Sequence, residues 1–391
     1  MTVLWERHDV AWRRPEEVVA GWADASSVDP RLLKYRTRGP WWDLLEDLAI
    51  TLLVTREYEH LALALGVDDG RPVISYLPIP HPSGLAVDRA TGLVSLASTR
   101  NPNQVLELRP ATAECGAPPE VRAPLLPTAG HWYAGRLYLH DLASIGGRLH
   151  ANAVGQNSVV CFEGGTARRV WWPRCMDRDV VDPFGQNYLQ LNSIAAGPDV
   201  ASSYFSASTD QPSKRRPGHR NFAVDRRGVL FAGSSRDPVV RGLTRPHSAR
   251  FHDGEVWVAN SGYGELVRTA PPGYDVVGRL PGWTRGLSFR GDVAFVGSSR
   301  VIPRFRQYAP GVDLDRSRCG IYAVSTETGS RVAGIEWPHG NQVFAVDWLP
   351  SELSQGFAFR LGRRSPRRER ELFFSFRPTG SAGCSAVGSD A

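Results

Sequence analysis

The sequence predicts an all-β protein: a six-bladed β-propeller with a short N-terminal helical extension and a disordered basic C-terminal tail. Three observations predict this fold. Similar strand–turn–strand segments recur at intervals of roughly 50 residues. Their strands alternate apolar and polar residues and are rich in Val, Phe, Tyr and Trp. The segments also lack the apolar period of 3.6 residues that an amphipathic helix requires.

The repeated segment is clearest in "PHPSGLAVDRATGLVSLASTR", from Pro80 to Arg100. One strand precedes a turn at Thr91 and Gly92, and a second strand returns to a polar end. Five further segments show the same order of strand, turn and strand. The positions that open the first strand of each segment are Ser83, His140, Asn192, His247, Arg285 and Phe344. Six copies between residues 45 and 350 predict six blades.

This repeat predicts two rings of side chains at one end of a central channel. The first strand of each blade lines the channel and the second runs antiparallel to it, so the first begins where the second ends. The inner ring comprises Ser83, His140, Asn192, His247 and Arg285. The outer ring includes Arg100, Asn157, Asn260, Glu265 and Arg300. Polar groups gathered at one mouth predict a binding site there.

The inner ring has two interpretations. His140, Asn192 and His247 could bind one divalent metal ion, because imidazole nitrogens and amide oxygens are suitable ligands. His140 or His247 would then serve as a metal ligand or as a general base. The alternative is that these side chains bond to backbone groups or buried water, or contact a ligand directly without a metal.

Arginines predict that the ligand of this mouth carries a negative charge. The predicted substrate-binding residues are Arg100, Asn157, Asn260, Glu265, Arg285 and Arg300. A guanidinium suits a carboxylate or phosphate because it donates two parallel hydrogen bonds. The alternative is ion pairing with acidic residues of neighbouring blades. The long connection 301–320 is of the kind that covers a site.

Composition narrows the class of protein. The net charge is +6, and residues 351–391 carry seven arginines against four acidic residues. Half of the excess therefore lies in this tail, which disfavours a nucleic-acid-binding stripe. No apolar run is long enough for a membrane helix, and residues 1–17 do not resemble a secretion signal. Five cysteines without a CxxC pair predict free thiols in a reducing cytoplasm.

These observations divide the chain into an N-terminal extension (1–44), a propeller (45–350) and an Arg-rich, mostly disordered tail (351–391). The extension contains a helix-like segment, "RPEEVVAGWADA". Motifs of serine hydrolases, zinc proteases, P-loop proteins and dinucleotide-binding proteins are absent from the sequence. The chemistry must therefore be sought in the channel.

Several blocks carry a family resemblance, among them "TREYEHLALALG", "STRNPNQVLEL", "LPGWTRGLSF" and "VAFVGSSRVIPRFR". Together they resemble a bacterial family of uncharacterised propeller-like proteins, a domain of unknown function often met near natural-product or polysaccharide genes. Gln190-Leu191-Asn192 stands where that family usually has His-Leu-Asn. The "GLAVD" strands and Asn192 are more distantly similar to lactonase and strictosidine-synthase-like propellers. That resemblance implies a metal or substrate in the channel.

Two functions follow as hypotheses. The first is a cytoplasmic enzyme that acts on a small, polar, anionic metabolite in specialised metabolism such as antibiotic biosynthesis. The second is a non-catalytic binding or scaffold protein that grips a peptide or a carrier-bound intermediate. Both hypotheses predict a small-molecule or peptide ligand, and neither involves nucleic acid or a membrane. The sequence leaves the oligomeric state open.

Overall fold

Six antiparallel sheets surround a central channel in the computed structural model, so the predicted six-bladed β-propeller is confirmed. The structure describes residues 15–26, 28–99, 103–111, 123–133, 135–177, 180, 182–212, 222–357 and 359–360. The tail was predicted to be mostly disordered, and its residues beyond Arg360 lie outside the described ranges.

The innermost strand of each sheet lines the channel and contacts the innermost strands of its two neighbours. These inner strands are β5 (Pro82–Asp88), β9 (Leu139–Ile145), β13 (Leu191–Ala195), β17 (Pro246–His252), β21 (Trp283–Arg290) and β25 (Ala345–Pro350). Each begins at or next to one of the six positions that the sequence repeat identified. We call the end of the channel where they begin the strand-start mouth, and the opposite end the strand-end mouth.

Four blades consist of consecutive strands. Blade 2 contains β5, β6 (Leu93–Ser98), β7 (Gln104–Pro110) and β8 (Leu125–Trp132). Blade 3 contains β9, β10 (Arg148–Ala153), β11 (Ser158–Glu163) and β12 (Thr166–Trp171). Blade 4 contains β13, β14 (Tyr204–Ala207), β15 (Gly228–Ala232) and β16 (Pro238–Leu243). Blade 5 contains β17, β18 (Glu255–Asn260), β19 (Glu265–Ala270) and β20 (Gly273–Arg279).

The ring closes in blade 1, whose strands come from both ends of the repeat region. Inner strand β25 pairs with β2 (Ile50–Arg56), which continues into β3 (Leu61–Asp68), β4 (Arg71–Pro78) and the short β26 (Phe359–Arg360). Blade 6 contains β21, β22 (Val293–Ser299), β23 (Gly320–Ser325) and β24 (Arg331–Glu336), and β1 (Arg36–Arg38) extends its outer edge.

Among the described residues, two α-helices precede the ring. Helix α1 (Pro15–Ser26) covers most of the predicted helix-like segment, and α2 (Trp41–Asp47) packs against blades 1 and 6. Trp41 is buried by an edge-on contact with Phe295, at 6.0 Å between ring centroids. None of the helices in the described ranges is long and apolar enough to span a membrane.

Aromatic and aliphatic side chains fill the space between blades. Trp171 of blade 3 packs on Phe205 of blade 4 with 4.1 Å between ring centroids, and its indole N–H donates to the carbonyl of Gly233. Cys161 and Cys319 are buried in this interior as free thiols, and Cys175 is half-buried. Burial raises the pKa of the Cys319 thiol to about 12, so it is protonated and unreactive at neutral pH.

Hydrogen bonds connect each inner strand to the preceding blade at the strand-start mouth. Ser83 Oγ donates to the carbonyl of Leu139, and Asn192 Nδ2 donates to the carbonyl of Pro246. The other four blade boundaries have similar bonds, from Thr55 to Ser83, His140 to Asn192, Ser261 to Thr284 and Ser299 to Val343. Part of the predicted polar ring therefore holds the propeller together.

Candidate functional site

β-Bulges set the direction of the side chains at the strand-start mouth. The pairing of the inner and second strands is interrupted next to the predicted position in five of the six blades. The interruptions fall between Pro82 and Leu85, Leu139 and Leu142, Leu191 and Ser193, His247 and Arg250, and Thr284 and Leu287. A bulge leaves residues out of the ladder and re-aims them. Here it frees the polar positions from regular sheet geometry.

A second shared feature lies one residue before the inner strand. His81, Tyr138, Gln190 and Arg245 occupy this position in blades 2 to 5, and all four have a positive φ of 44 to 53°. Left-handed backbone is unfavourable for side chains larger than glycine and is often retained near functional sites. It brings Arg245 to the channel next to the predicted residues. The sequence repeat did not identify this position.

His140, His247 and Arg285 converge on the ring of Phe344. The centroid of Phe344 lies 4.7 Å from that of His140 and 5.4 Å from that of His247. The Arg285 guanidinium carbon lies 4.6 Å above the same ring. The two imidazole centroids are 4.9 Å apart. Four blades thus bring these predicted positions into one cluster.

Two buried guanidiniums give the cluster a positive charge. Arg245 and Arg285 are only 7% and 5% exposed. Among the described residues, Arg245 Nε and Nη1 and Arg285 Nε have no hydrogen-bond partner. Burial and the neighbouring Arg285 lower the pKa of Arg245 to about 10, and burial also lowers the pKa of Arg285. The Glu57 carboxylate acts on the pKa of Arg285 in the direction opposite to burial. The unpartnered nitrogen atoms of the two arginines are buried donors, which is unfavourable, so this arrangement favours binding of an anion.

The same surroundings keep the two histidines neutral. Burial lowers the pKa of His140 well below its usual value, and Arg285 and Arg245 add to that shift. Burial, then Arg285, then His140 lower the pKa of His247 in the same way. At neutral pH each ring therefore has one N–H and one nitrogen lone pair.

Hydrogen bonds determine which nitrogen of His140 carries the proton. Its Nδ1 lies 3.2 Å from the carbonyl oxygen of Asn192, which can only accept, so Nδ1 must donate. The lone pair of neutral His140 is then on Nε2. A backbone carbonyl that orients an imidazole in this way leaves the opposite nitrogen available as a base.

His247 has the opposite arrangement. The hydroxyl oxygen of Ser248 lies 2.8 Å from His247 Nδ1 and accepts the backbone N–H of Gly286 at 2.8 Å. The hydroxyl proton can therefore be donated to Nδ1, which favours an N–H at Nε2. His247 Nε2 is buried and has no partner among the described residues. It is suited to donate to an oxyanion beside the two arginines.

The long connection between β22 and β23 covers part of this mouth. It contains a 3-10 helix, Pro303–Tyr308, and Tyr308 stacks on Trp283 at 6.3 Å between centroids. The Arg245 guanidinium carbon lies 4.4 Å from the Tyr308 ring centroid. The N–H of Gly311 donates to the carbonyl of Gly262, which fixes the connection to blade 5. Arg245 is therefore shielded from water on this side.

The predicted outer ring is more dispersed. Arg100 lies outside the described residues. Arg300 donates to the carbonyl of Pro338 at 2.6 Å, in the connection that leads to blade 1. Asn260 donates to Glu265 and accepts the N–H of Thr244, and Glu265 also pairs with Arg279 at 2.7 Å.

Asn157 is also occupied by contacts within the fold. Its amide nitrogen donates to the carbonyls of Pro183 and Gln186, and its amide oxygen accepts the N–H groups of Tyr188 and Leu189. All four hydrogen-bonding positions of the amide are used. For the same reason we leave Asn157, Asn260 and Glu265 out of the site proposed below.

The charges near His140, Asn192 and His247 do not suit a cation. The first two residues bond to each other, and two guanidiniums lie close enough to lower the histidine pKa values. They would repel a divalent metal ion. Within the part of the chain that the structure describes, no group of three or more His, Cys, Asp or Glu side chains could hold a metal ion. The predicted metal site therefore has no support in this geometry.

A buried ion pair lies further along the channel from this cluster. Arg250 of blade 5 donates to both carboxylate oxygens of Asp141 in blade 3, at 2.7 and 3.0 Å, and to the carbonyl of Ile194 in blade 4. Asp141 also accepts the N–H of Ile194. This pair joins three blades and lies between the two mouths.

With the site described, comparison with protein families decides where the chain belongs. Residues 39–355 match the family described as Domain of unknown function (DUF4915). The chain belongs to this family. The match spans all six blades, so the predicted membership of an uncharacterised family is confirmed. No curated protein matches the DUF4915 chain.

Solved structures that resemble this DUF4915 chain have low sequence identity. A chain of a nidogen/laminin complex has 10% identity and a TM-score of 0.50, covering 76% of this chain and 98% of that chain. A gluconolactonase from Xanthomonas campestris has 15% identity and a TM-score of 0.43, covering 74% and 86%. A calcium-binding regucalcin from Agrobacterium tumefaciens has 12% identity and a TM-score of 0.42, covering 65% and 73%. The first likeness supports the fold alone.

Proposed function

We propose that the strand-start mouth binds a small metabolite through a carboxylate or phosphate and that the protein acts on it as an enzyme. The observation that carries this proposal is the pair of buried guanidiniums, Arg245 and Arg285, with unpartnered nitrogen atoms beside two neutral imidazoles. A bound anion would satisfy these donors and relieve the repulsion between the two arginines.

The residues divide into anion-binding and proton-transfer roles. Arg245, Arg285 and His247 Nε2 would donate hydrogen bonds to the anion. His140 Nε2 would be the general base, because its Nδ1–H is held by the Asn192 carbonyl and its pKa is low enough to keep it unprotonated. The face of Phe344 would support the apolar part of the ligand between these groups.

An oriented, unprotonated imidazole favours an enzyme over a passive binder, since a binding site for an anion gains nothing from a base. A binding or scaffold protein for a peptide or carrier-bound intermediate is the competing function. A role in specialised metabolism in the cytoplasm is part of the same proposal. The reacting bond depends on the substrate, which a screen of carboxylate- and phosphate-bearing metabolites would identify.

Anion binding is tested with inorganic phosphate and citrate, followed by isothermal titration calorimetry and thermal melting of the full chain. We expect both anions to bind and to raise Tm, because they bind only the folded state. Arg245→Gln and Arg285→Gln should each weaken binding by about tenfold or more. The matched control is Arg331→Gln, at the exposed start of β24, which should bind as the unaltered protein does.

Two results would overturn this proposal. One is an Arg285→Gln variant that melts cooperatively and binds both anions normally. The other is stoichiometric Zn²⁺ or Ca²⁺ binding that both His140→Gln and His247→Gln abolish. Catalysis is tested separately by incubating the protein with a panel of carboxylate- and phosphate-bearing metabolites and analysing products by mass spectrometry. Loss of turnover with retained anion binding in His140→Gln would support the enzyme, whereas anion binding without any turnover favours the binder.

A further inference from the structure

The strand-end mouth contains a second cavity, of about 900 Å³. This volume is within the range of roughly 300–1,000 Å³ that small-molecule sites occupy. It lies beyond the Asp141–Arg250 pair, so none of the residues assigned to the strand-start mouth lines it. Its wall comes from inner strands of all six blades.

The wall of this cavity has a small apolar side and a polar side. Ala86, Ala143 and Ala196 line it from blades 2, 3 and 4. Arg250, Ser288 and Asp347 line it from blades 5, 6 and 1. Three alanines in place of larger side chains leave the space, and the three polar residues face that space from the opposite arc.

Negative charge predominates in the wall. The charged residues that line the cavity are Asp88, Arg89, Glu107, Arg250, Asp253 and Asp347. Four carboxylates therefore stand against two guanidiniums, and Arg250 is already neutralised by the bidentate contact with Asp141. The ligand that this wall favours is a cation.

Asp347 lies deepest among these carboxylates. Its side chain is 14% exposed and pairs with Arg89, whose own side chain is 40% exposed. Burial raises the pKa of Asp347, and the Arg89 charge partly opposes that shift. The Arg89 guanidinium also lies 4.3 Å from the ring centroid of Trp348. The carboxylate and the indole face together already hold one cation, which comes from a partly exposed side chain.

Ser288 provides an independent sign of a ligand. It is 5% exposed and lines the cavity, and its hydroxyl has no hydrogen-bond partner among the described residues. A buried hydroxyl without a partner is unfavourable. It is on β21, next to the strand that carries Asp347, so one ligand group could contact both side chains.

We propose that the strand-end cavity is a second binding site, for a small molecule whose primary ammonium pairs with Asp347 and donates to Ser288. The aliphatic part of the molecule packs on Ala86, Ala143 and Ala196. The volume favours a free small molecule over a folded partner. A lysine side chain carries the same ammonium, so the experiment compares both sources.

The test is calorimetric titration of the full chain with hexylamine, hexan-1-ol and hexanoate, which share an alkyl chain and differ in charge. We expect hexylamine to bind, and the alcohol and the carboxylate to bind at least about tenfold more weakly. A short peptide with one central lysine should also bind at least about tenfold more weakly than hexylamine. Tighter binding of the peptide would identify a protein ligand and overturn the small-molecule proposal.

Variants separate charge from shape. Asp347→Asn should weaken hexylamine binding by about tenfold, and Asp275→Asn, on the outermost strand of blade 5, is the matched control. Ala86→Leu keeps every charge and fills the cavity, so it should block binding even if Asp347→Asn fails to fold. Arg285→Gln should leave hexylamine binding unchanged, which makes this result independent of the proposed function. Equal binding of hexylamine and hexan-1-ol, or normal binding by Ala86→Leu, would refute the proposal.

Discussion

The two mouths of the channel are lined by opposite ends of the same six inner strands and carry opposite charges. At the strand-start mouth, two buried guanidiniums face neutral imidazoles. At the strand-end mouth, four carboxylates outnumber two guanidiniums around a cavity. Six-fold repetition of the backbone thus fixes the direction of the side chains but not their charge. The charge at each mouth comes from residues of three or four blades.

The two mouths also differ in how their charges are compensated. Arg250, near the strand-end mouth, is held by both oxygens of Asp141, whereas Arg245 and Arg285 have nitrogen atoms without described partners. Removing one partner of a buried ion pair strongly lowers the free energy of unfolding. A buried charge without a partner also destabilises the fold that contains it. The three predictions below test this contrast.

The largest effect is expected from Asp141→Asn. The substitution leaves the largely buried Arg250 charge without its carboxylate, and breaking a buried pair in this way lowers the free energy of unfolding by roughly 3–5 kcal/mol. Urea denaturation followed by circular dichroism measures the change. Asp237→Asn, which removes an exposed pair with Arg174, should change the same quantity by less than about 1 kcal/mol. Similar losses in the two variants would show that the buried pair has no special role.

The second effect is the response to acid. The folded protein keeps His140 and His247 unprotonated below the ordinary histidine pKa of 6.5, whereas the unfolded chain binds a proton at each. Stability is therefore complete above pH 6.5 and falls as the pH drops below it. The slope should reach about 1.4 kcal/mol per pH unit for each histidine. Denaturation of the unaltered protein and of His140→Gln between pH 7 and pH 5 measures it.

The glutamine variant should lose about half of the histidine contribution to that slope. An unchanged slope would mean that His140 titrates normally in the folded state. His150 also has a pKa lowered by burial, so His150→Gln is the appropriate comparison outside the channel. Its effect should be smaller, because the backbone carbonyl of Arg148 and the Glu163 carboxylate oppose the effect of burial on the pKa of that ring.

The smallest effect, of opposite sign, is expected from Arg285→Met. The apolar side chain retains contact with Trp283 and Phe344 and removes the repulsion with Arg245. The free energy of unfolding should rise by roughly 1 kcal/mol, because functional sites often store unfavourable charge. Urea denaturation without anions is the measurement. A loss of stability instead would indicate that Arg285 is structural.

Much of the fold was predictable because strand alternation and glycine turns repeat along the chain. The repeat also located the inner strands, since Ser83, His140, His247 and Arg285 have equivalent places in it. It did not predict that Ser83 and Asn192 would bond to neighbouring blades. Those contacts depend on how far adjacent sheets are apart, which periodicity alone does not reveal.

The sequence repeat did not identify Arg245, because this residue precedes the inner strand. One signal could have identified it: His81-Pro82 and Arg245-Pro246 are the same junction in two blades. The pairing of Asp141 with Arg250 was missed for a different reason. Charged residues in alternating strands are usually solvent-exposed, and only the curvature of the ring brings blades 3 and 5 close enough for them to pair.

Closure of blade 1 has a consequence for synthesis of the protein. Strand β2 leaves the ribosome almost 300 residues before its partner β25, according to their positions at Ile50–Arg56 and Ala345–Pro350. Throughout that interval β2 is an apolar strand with one unpaired edge, and such edges are prone to intermolecular pairing. A chain truncated before β25 would retain this unpaired edge, which strands of other chains could join. Completion of the last blade therefore removes an edge that stays open to intermolecular pairing for most of synthesis.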